Sequence, residues 1–484
     1  MKKFRFIKPL GITAMAGLLV ATLASCGGDS NTSTSTNTGT TPSTPKPTQT
    51  QTQTQKPTTT PGTTVKPQGG DKTIVFYHTM GEALRTVLDT AVEEFEKAYP
   101  GWKVEHAQIG SYDDVKSAVI GDLQAGTTPD LAYCYADHVA QYITTSKVVD
   151  LKTYINDPEV GYSQEEIADF VQGYYKEGLA PNFADYDKYG YSQDSMLTLP
   201  YSKSTEVLYY NADALKALGY DKAPETWDEL WSMCEKALDY YPLCTPLGYD
   251  SEANWFITMC EQNGWGYTSA ESGKHFLFNN ENTLAWLEDL QAKYDEYYFT
   301  TQEIYGAYTS GLFTMGPEEG GTIFSIGSSG GAQHQSTTKF KWGVAPIPGS
   351  KLSDGTINNS AISQGPSICM FKSNTEKEKM AWNFLKMILE PEFQCSFSMT
   401  SGYNPVRNSS FEIDEYATFL TQTDNIVAVT AGIARQMGDR YYTSPAFVGS
   451  SVARTQVGAA LVNAVTGIST PQKALLEAMQ KCGA

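Results

Sequence analysis

From Asp71 onward the apolar positions alternate between two rhythms. Thr73-Ile74-Val75-Phe76-Tyr77 is a short β-branched and aromatic run, the pattern of a buried strand. Leu84, Val87, Leu88, Ala91, Val92 and Phe95 then recur at helical spacing, until Pro100-Gly101 stops the helix. A second strand is predicted over 103–108, a second helix over 112–125 and a third strand from Pro129 to Tyr133. Strand, helix, strand, helix, strand predicts an α/β layer around a parallel sheet. Ligands settle beyond the carboxyl ends of such strands. That places Tyr77, His78 and the turn Gly110-Ser111-Tyr112 at a candidate site.

Further along, residues 200–211 read as an extended crossing. Thr226 and Glu229 predict a capping box, in which hydroxyl and carboxylate satisfy helix-start amides reciprocally, ahead of a helix over 230–238. Residues 252–299 are aromatic and mostly helical in pattern, and 316–331 are glycine-rich. A strand over 341–348 ends at prolines, and helical periodicity returns over 376–389 and 452–479. The stretch from Asp71 to Ala484 exceeds one average domain and predicts two lobes.

The first residues change the picture of where the chain works. Lys2, Lys3, Arg5 and Lys8 precede an apolar stretch from Leu10 to Leu23, which is short for a spanning helix. Leu23-Ala24-Ser25-Cys26 resembles a bacterial lipobox, whose cysteine is lipidated and becomes the new N-terminus. Residues 1–26 therefore predict a lipoprotein signal peptide. Residues 27–70 are mostly Thr, Ser, Pro, Gln and Gly without an aromatic, and predict a disordered linker. Extended, it reaches on the order of 100 Å from a membrane. The expected location is the outer face of the cytoplasmic membrane, which is periplasmic in a host with two membranes.

The net charge of −19 argues against nucleic acid and against adhesion to anionic lipid. Beyond Cys26 there are seven cysteines at irregular spacing, which do not form a disulfide framework. They read as buried thiols, with Cys234 and Cys244 as one possible pair. No metal or other cofactor is expected.

Leu199-Pro200-Tyr201-Ser202, Leu208-Tyr209-Tyr210-Asn211, Pro224-Glu225-Thr226-Trp227-Asp228-Glu229-Leu230, Val344-Ala345-Pro346-Ile347-Pro348 and Ser401-Gly402-Tyr403-Asn404-Pro405-Val406 follow one another along the chain. In that order they resemble the family 1 extracellular solute-binding proteins of ABC importers. The resemblance implies a periplasmic-binding-protein-like α/β fold of type II, with two lobes, a hinge of several crossings and a ligand cleft. Lobe 1 is expected at 71–203 and 363–404, and lobe 2 at 204–362 and 405–484. The implied partners are a small-molecule ligand, the transmembrane permease and the membrane through the lipid anchor, with the protein a monomer.

The opening strand Ile74-Val75-Phe76-Tyr77-His78-Thr79-Met80 resembles the glycerol-3-phosphate-binding branch. That branch implies ligand contacts at Tyr112, Ser204, Ser329, Gly365, Tyr403 and Arg454. It carries a glutamate where this chain has Ala136, beside Asp137, and so leaves the polyol end of the ligand open. Arg454 could supply a planar fork for phosphate. A sugar would instead need aromatic platforms, for which Trp255 and Tyr77 are candidates.

An enzyme is the rival reading. Gly327-Ser328-Ser329-Gly330-Gly331 matches the G-x-S-x-G elbow of hydrolases, which would act on glycans or esters. That order needs a later acid and a later histidine; His334 is the one histidine beyond Ser329, with no acid between them. Paired acids such as Asp113-Asp114 could mimic a glycosidase site but sit where acids compensate a helix dipole. A surface adhesin would account for anchor and leash but not for the family blocks. The expectation is a binding protein without catalytic residues.

Overall fold

Two five-stranded sheets, each with its own core, organise residues 66, 67 and 69–483, which the computed structural model describes. The expected signal peptide, Cys26 and nearly all of the linker lie outside these residues.

The first lobe opens with β1 (Thr73–His78), α1 (Glu82–Ala98), β2 (Lys103–Gln108), α2 (Tyr112–Ala125), β3 (Leu131–Cys134) and α3 (Ala136–Tyr142). The first five are the elements that the hydrophobic rhythm predicts, with bounds within a few residues; α3 is not among them. Ser111 starts α2 with a full capping box: its hydroxyl accepts from Asp114 N at 3.3 Å, and the Asp114 carboxylate accepts from Ser111 N at 2.7 Å. Asp114 is thus spent on the helix start, which also holds its carboxyl below the usual range. Asp113 pairs with Lys116, so the two acids do not form a glycosidase pair. Gly126 closes the helix in the left-handed region, at φ 76°, where an L side chain is strained.

After a run of short helices the chain forms β4 (Leu199–Pro200) and enters the second lobe at β5 (Glu206–Asn211). Then follow α4 (Trp227–Tyr240), β6 (Leu247–Tyr249), α5 (Glu252–Asn263), β7 (Phe299–Thr301), β8 (Phe324–Ser328) and β9 (Trp342–Pro346). The chain returns through β10 (Ala361–Ile362) to β11 (Ser367–Met370), α6 (Thr375–Met387) and α7 (Pro391–Ser401) of the first lobe. It ends in the second lobe with α8 (Ile426–Gln436), β12 (Tyr441–Tyr442), α9 (Ser450–Val465) and α10 (Pro471–Lys481). The sheet orders are β2-β1-β3-β11-β4 and β7-β6-β8-β5-β9. β1 to β3 are parallel, and β11 runs antiparallel between β3 and β4.

Both faces of the first sheet are buried. Ile74, Phe76 and Tyr133 face one core with Trp382, while Val75, Tyr77 and Ala132 face another with Val115 and Val119 of α2. The second lobe's core is aromatic: Trp255 stacks on Tyr249 at 4.7 Å and on Trp227 at 6.0 Å.

Three expectations change. The Thr226 hydroxyl does accept from Glu229 N at 3.2 Å, but the Glu229 carboxylate reaches Glu225 N at 2.7 Å, one residue beyond the reciprocal target. The last helical stretch divides at Thr466–Thr470, and Pro471, lacking an amide hydrogen, restarts it at the first helical position. The segment after 405 stays with the first lobe: Val406 joins its core, Phe411 and Tyr416 pack on Cys395, and Arg407 pairs with Asp169 at 2.7 Å. The crossing back therefore falls after Leu420, because apolar residues beyond the Asn404-Pro405 turn extend the first core. All seven cysteines among the described residues are free thiols, Cys234 and Cys244 included.

Thr226→Ala removes the hydroxyl half of the α4 cap and is expected to cost about 1 kcal/mol of stability, read from urea unfolding followed by circular dichroism.

Candidate functional site

A cleft of about 1480 Å³ opens between the lobes, and its floor is the set of crossings that join them. The crossings are stitched backbone to backbone. Lys203 bridges to Asn404, and Ser204 to Gln364, both antiparallel. Gly365 has φ 80°, and a Cβ there would stand 1.9 Å from the Ser202 carbonyl oxygen, so only glycine allows this approach. The Lys203 ammonium is buried; it pairs with Glu177 at 2.6 Å and donates to the Gly365 carbonyl at 3.1 Å. Ser363 donates its hydroxyl to the other Glu177 oxygen.

The first-lobe wall is phenolic. Tyr112, at the start of α2, meets Tyr135 edge to face at 4.9 Å, and its hydroxyl lies 3.5 Å from that of Tyr403. Burial pushes all three phenols up, so each stays a protonated donor and acceptor at any physiological pH. Tyr403 reaches across to the second lobe: a Cβ on Gly330 would lie 3.1 Å from its ring, so the absence of a side chain there lets the ring close in. Asp137, in the first turn of α3, keeps its Oδ1 buried without a hydrogen-bond partner among the described residues.

The second-lobe wall is polar and acidic. Asp250 accepts from Thr309 N at 2.6 Å and from Thr309 Oγ1 at 2.7 Å, yet burial still raises its carboxyl. Glu206 is wholly buried and accepts from the Tyr249 hydroxyl at 2.6 Å and from Asn254 Nδ2 at 2.7 Å. Burial outweighs these donors and pushes its carboxyl up to about 7. Arg454, on α9, donates to Asn254 Oδ1 and, among the described residues, forms no ion pair.

Tyr112, Asp137, Gly365, Tyr403 and Arg454 are thus brought together around one cleft. Four other candidates are placed elsewhere. Tyr77 points to the α2 side of its sheet, where strand alternation puts it beside Val75, and burial and Asp122 hold its phenol protonated. Trp255 is 0% exposed, enclosed by Tyr249, Trp227 and Phe299, and offers no face to the cleft. Ser204 is buried in the crossing itself, and Ser329, just after β8, is buried against it. The Ser329 hydroxyl accepts from Thr205 N at 3.2 Å, and Ser204 pairs through its backbone with Gln364. Ser329 also has this backbone amide as partner instead of a histidine, which removes the hydrolase elbow. His78 is buried too, bonded to His106 Nδ1 at 2.9 Å.

Glu206, Lys203, Asn254, Asp250 and Tyr135 escaped the reading from sequence. Lys203 and Glu206 carried a signal: they are the charged residues of an otherwise uncharged crossing over 200–211. Asn254 and Asp250 carried none, because their role depends on two segments meeting.

Two sheets, several crossings and a polar cleft at those crossings define a two-lobed binding protein. Residues 90–421 match the family described as bacterial extracellular solute-binding protein, and the chain belongs to that family, whose members hand solutes to ABC importers and are not enzymes. The sn-glycerol-3-phosphate-binding periplasmic protein UgpB of Salmonella typhimurium is 25% identical over 427 residues, covering 84% of this chain and 91% of the relative. UgpB of Yersinia pseudotuberculosis is 23% identical over 420 residues, covering 83% and 89%. Among solved structures, UgpB from Mycobacterium tuberculosis in complex with glycerophosphocholine aligns with a TM-score of 0.68 at 18% identity, over 86% of this chain and 98% of that one. The cyclic alpha-maltosyl-1,6-maltose binding protein from Arthrobacter globiformis aligns at 0.66 and 17%, over 85% and 98%. The two structures share the fold.

Trp255→Ala is expected to lower stability by about 3–5 kcal/mol through the cavity it leaves, as read by urea denaturation. A large loss of ligand affinity in the folded variant, with stability unchanged, would return Trp255 to the binding wall.

Proposed function

We propose that this chain captures a small carbohydrate-class solute, a sugar or a polyol phosphate of the glycerol-3-phosphate kind, by closing its lobes on it. The closed form then docks on the transmembrane permease of an ABC importer. The observation that carries this reading is the cleft itself, whose lining brings in Arg454, which forms no ion pair among the described residues, and Asp137, whose buried Oδ1 accepts no hydrogen bond there and has only His138 Nε2 nearby, at 3.7 Å. Arg454 suits an anionic group, and Asp137 suits ligand hydroxyls. Tyr112 and Tyr403 supply both a ring edge and a hydroxyl from the first lobe, and Gly365 lets the ligand approach backbone at the hinge. The UgpB relatives bind sn-glycerol-3-phosphate and the neighbour from Arthrobacter binds a cyclic maltosyl sugar, which supports both ligand kinds. In this reading the protein works as a monomer on the outer face of the cell membrane, held by lipid on Cys26 through its Thr/Ser/Pro linker.

A ligand that touches both walls has a higher affinity for the closed arrangement, and that difference sets how far the population shifts. The phenols stay neutral, so they carry no net charge to repel an anion.

Titration calorimetry with a panel of sugars and glycerol phosphates decides the ligand class. If sn-glycerol-3-phosphate binds, Arg454→Ala costs on the order of 2–5 kcal/mol, since a desolvated charge loses its partner. An unchanged affinity removes Arg454 from the site, and binding of neutral oligosaccharides alone removes the phosphate reading. Separately, Cys26→Ala releases the protein into the medium, as seen by fractionation; continued labelling by a radioactive fatty acid would contradict the anchor.

A further inference from the structure

Glu206 is the first residue of β5, within the crossing, and is 1% exposed. Each of its oxygens accepts one bond: Oε2 from the Tyr249 hydroxyl at 2.6 Å, Oε1 from Asn254 Nδ2 at 2.7 Å. An asparagine amide has one donor end and one acceptor end. With its nitrogen held on Glu206, Asn254 must turn its Oδ1 the other way. There it accepts from Gln364 Nε2 at 2.9 Å and from Arg454 Nη2. Turned over, the amide would set its NH₂ against two other donors, with no acceptor for the guanidinium. Glu206 therefore decides which end of Asn254 meets Arg454. Gln364 lies in the crossing between β10 and β11, so the relay also ties α5 and α9 to the hinge.

We propose that Glu206 is a positioning residue: through Asn254 it holds Arg454 at the cleft floor, and it takes up a proton when an anionic ligand pairs with Arg454. This rests on the polyol phosphate reading of the ligand. The charged and titratable groups facing Glu206 are Tyr249 and Asp250 from β6 and the loop after it, Tyr442 from β12 and Arg454 from α9. Arg454 favours the ionised form of Glu206, and Asp250 opposes it. An anion seated on Arg454 cancels the favourable partner and adds a like charge in a site shielded from water. Because burial already pushes the carboxyl up to about 7, protonation relieves that repulsion at neutral pH. The ligand raises the proton affinity of Glu206, so by reciprocity the proton raises the affinity for the ligand. Anion affinity strengthens as pH falls through about 7, and a neutral sugar shows no such dependence.

The test is titration calorimetry of sn-glycerol-3-phosphate into the wild type and Glu206→Gln, near pH 7, in buffers of different ionisation enthalpy. The glutamine keeps the shape and an acceptor for Asn254 but has no proton to gain. The ligand's phosphate itself titrates near pH 6, so the quantity read is the difference between the two proteins. The wild type is expected to take up a fraction of a proton more per ligand, and its affinity to rise more steeply on acidification, by at most about tenfold per pH unit. Equal proton uptake and parallel pH profiles overturn the proposal. If Glu206→Gln does not fold, Tyr249→Phe is the second variant. It removes one donor to the ionised carboxylate and should move the midpoint of proton uptake to higher pH; an unmoved midpoint counts against the proposal. If maltose binds and sn-glycerol-3-phosphate does not, the ligand reading falls and the proposal with it. That outcome is distinct from binding without extra proton uptake.

Discussion

Every feature of the cleft depends on how the chain passes between two separately cored lobes without leaving polar backbone unpaired. At the floor the passes hydrogen-bond to one another, Lys203 with Asn404 and Ser204 with Gln364. The buried Lys203–Glu177 pair and the Gly365 turn complete the stitching. A buried ion pair is weak evidence of net stability, because desolvation offsets its attraction. Its effect here is geometric. Lys203 holds the Gly365 carbonyl, so the crossings keep one register.

That constraint explains why the polar groups of the cleft are so deeply placed. A binding wall built on a surface loop would meet water and lose the advantage of a low-dielectric setting. Here Glu206 and Asn254 are buried, and both Glu206 oxygens and both ends of the Asn254 amide have protein partners. Asp137 Oδ1 is an exception on the opposite wall. An unpartnered buried acceptor costs stability in the empty protein, and a ligand hydroxyl placed there recovers it. On the proposed reading the same atom gives the closed, ligand-filled arrangement an advantage over the empty one.

Much of the fold was legible because hydrophobic rhythm and capping chemistry act locally. β1 to β3 and their helices follow from alternation, helical spacing and stop signals within windows of under 20 residues. The lobe boundary after 405 was not legible, since Val406, Phe411 and Tyr416 choose their lobe by which core has room for them. The site divides the same way. Tyr112 could be read from a turn ahead of a helix. Tyr77 could not be excluded by pattern, because a strand covered on both faces is apolar at every position and its parity does not say which face meets solvent. Trp255 failed for a related reason: an aromatic at the start of a helix is equally suited to a platform and to a core. Ser204 and Ser329 sit in the right place for contacts, but their backbones are needed to stitch the crossings.

The buried relay shows what sequence order conceals. Glu206, Asn254, Gln364 and Arg454 are spread over 249 positions of chain and meet only once the second lobe and the crossing that carries Gln364 are formed. None of the four is informative alone. Together they form an ordered line of donors and acceptors whose direction is set at one end by a carboxylate. In the proposed reading Arg454 is the anchor of an anionic ligand, and it has to stay in place while the opposite wall moves. Burying the carboxylate and leaving the guanidinium on the cleft lining achieves this: the end in the core cannot relax toward water, and the end in the cleft stays available to a ligand. The arrangement also makes the anchor's strength depend on the charge state of a group that solvent does not reach.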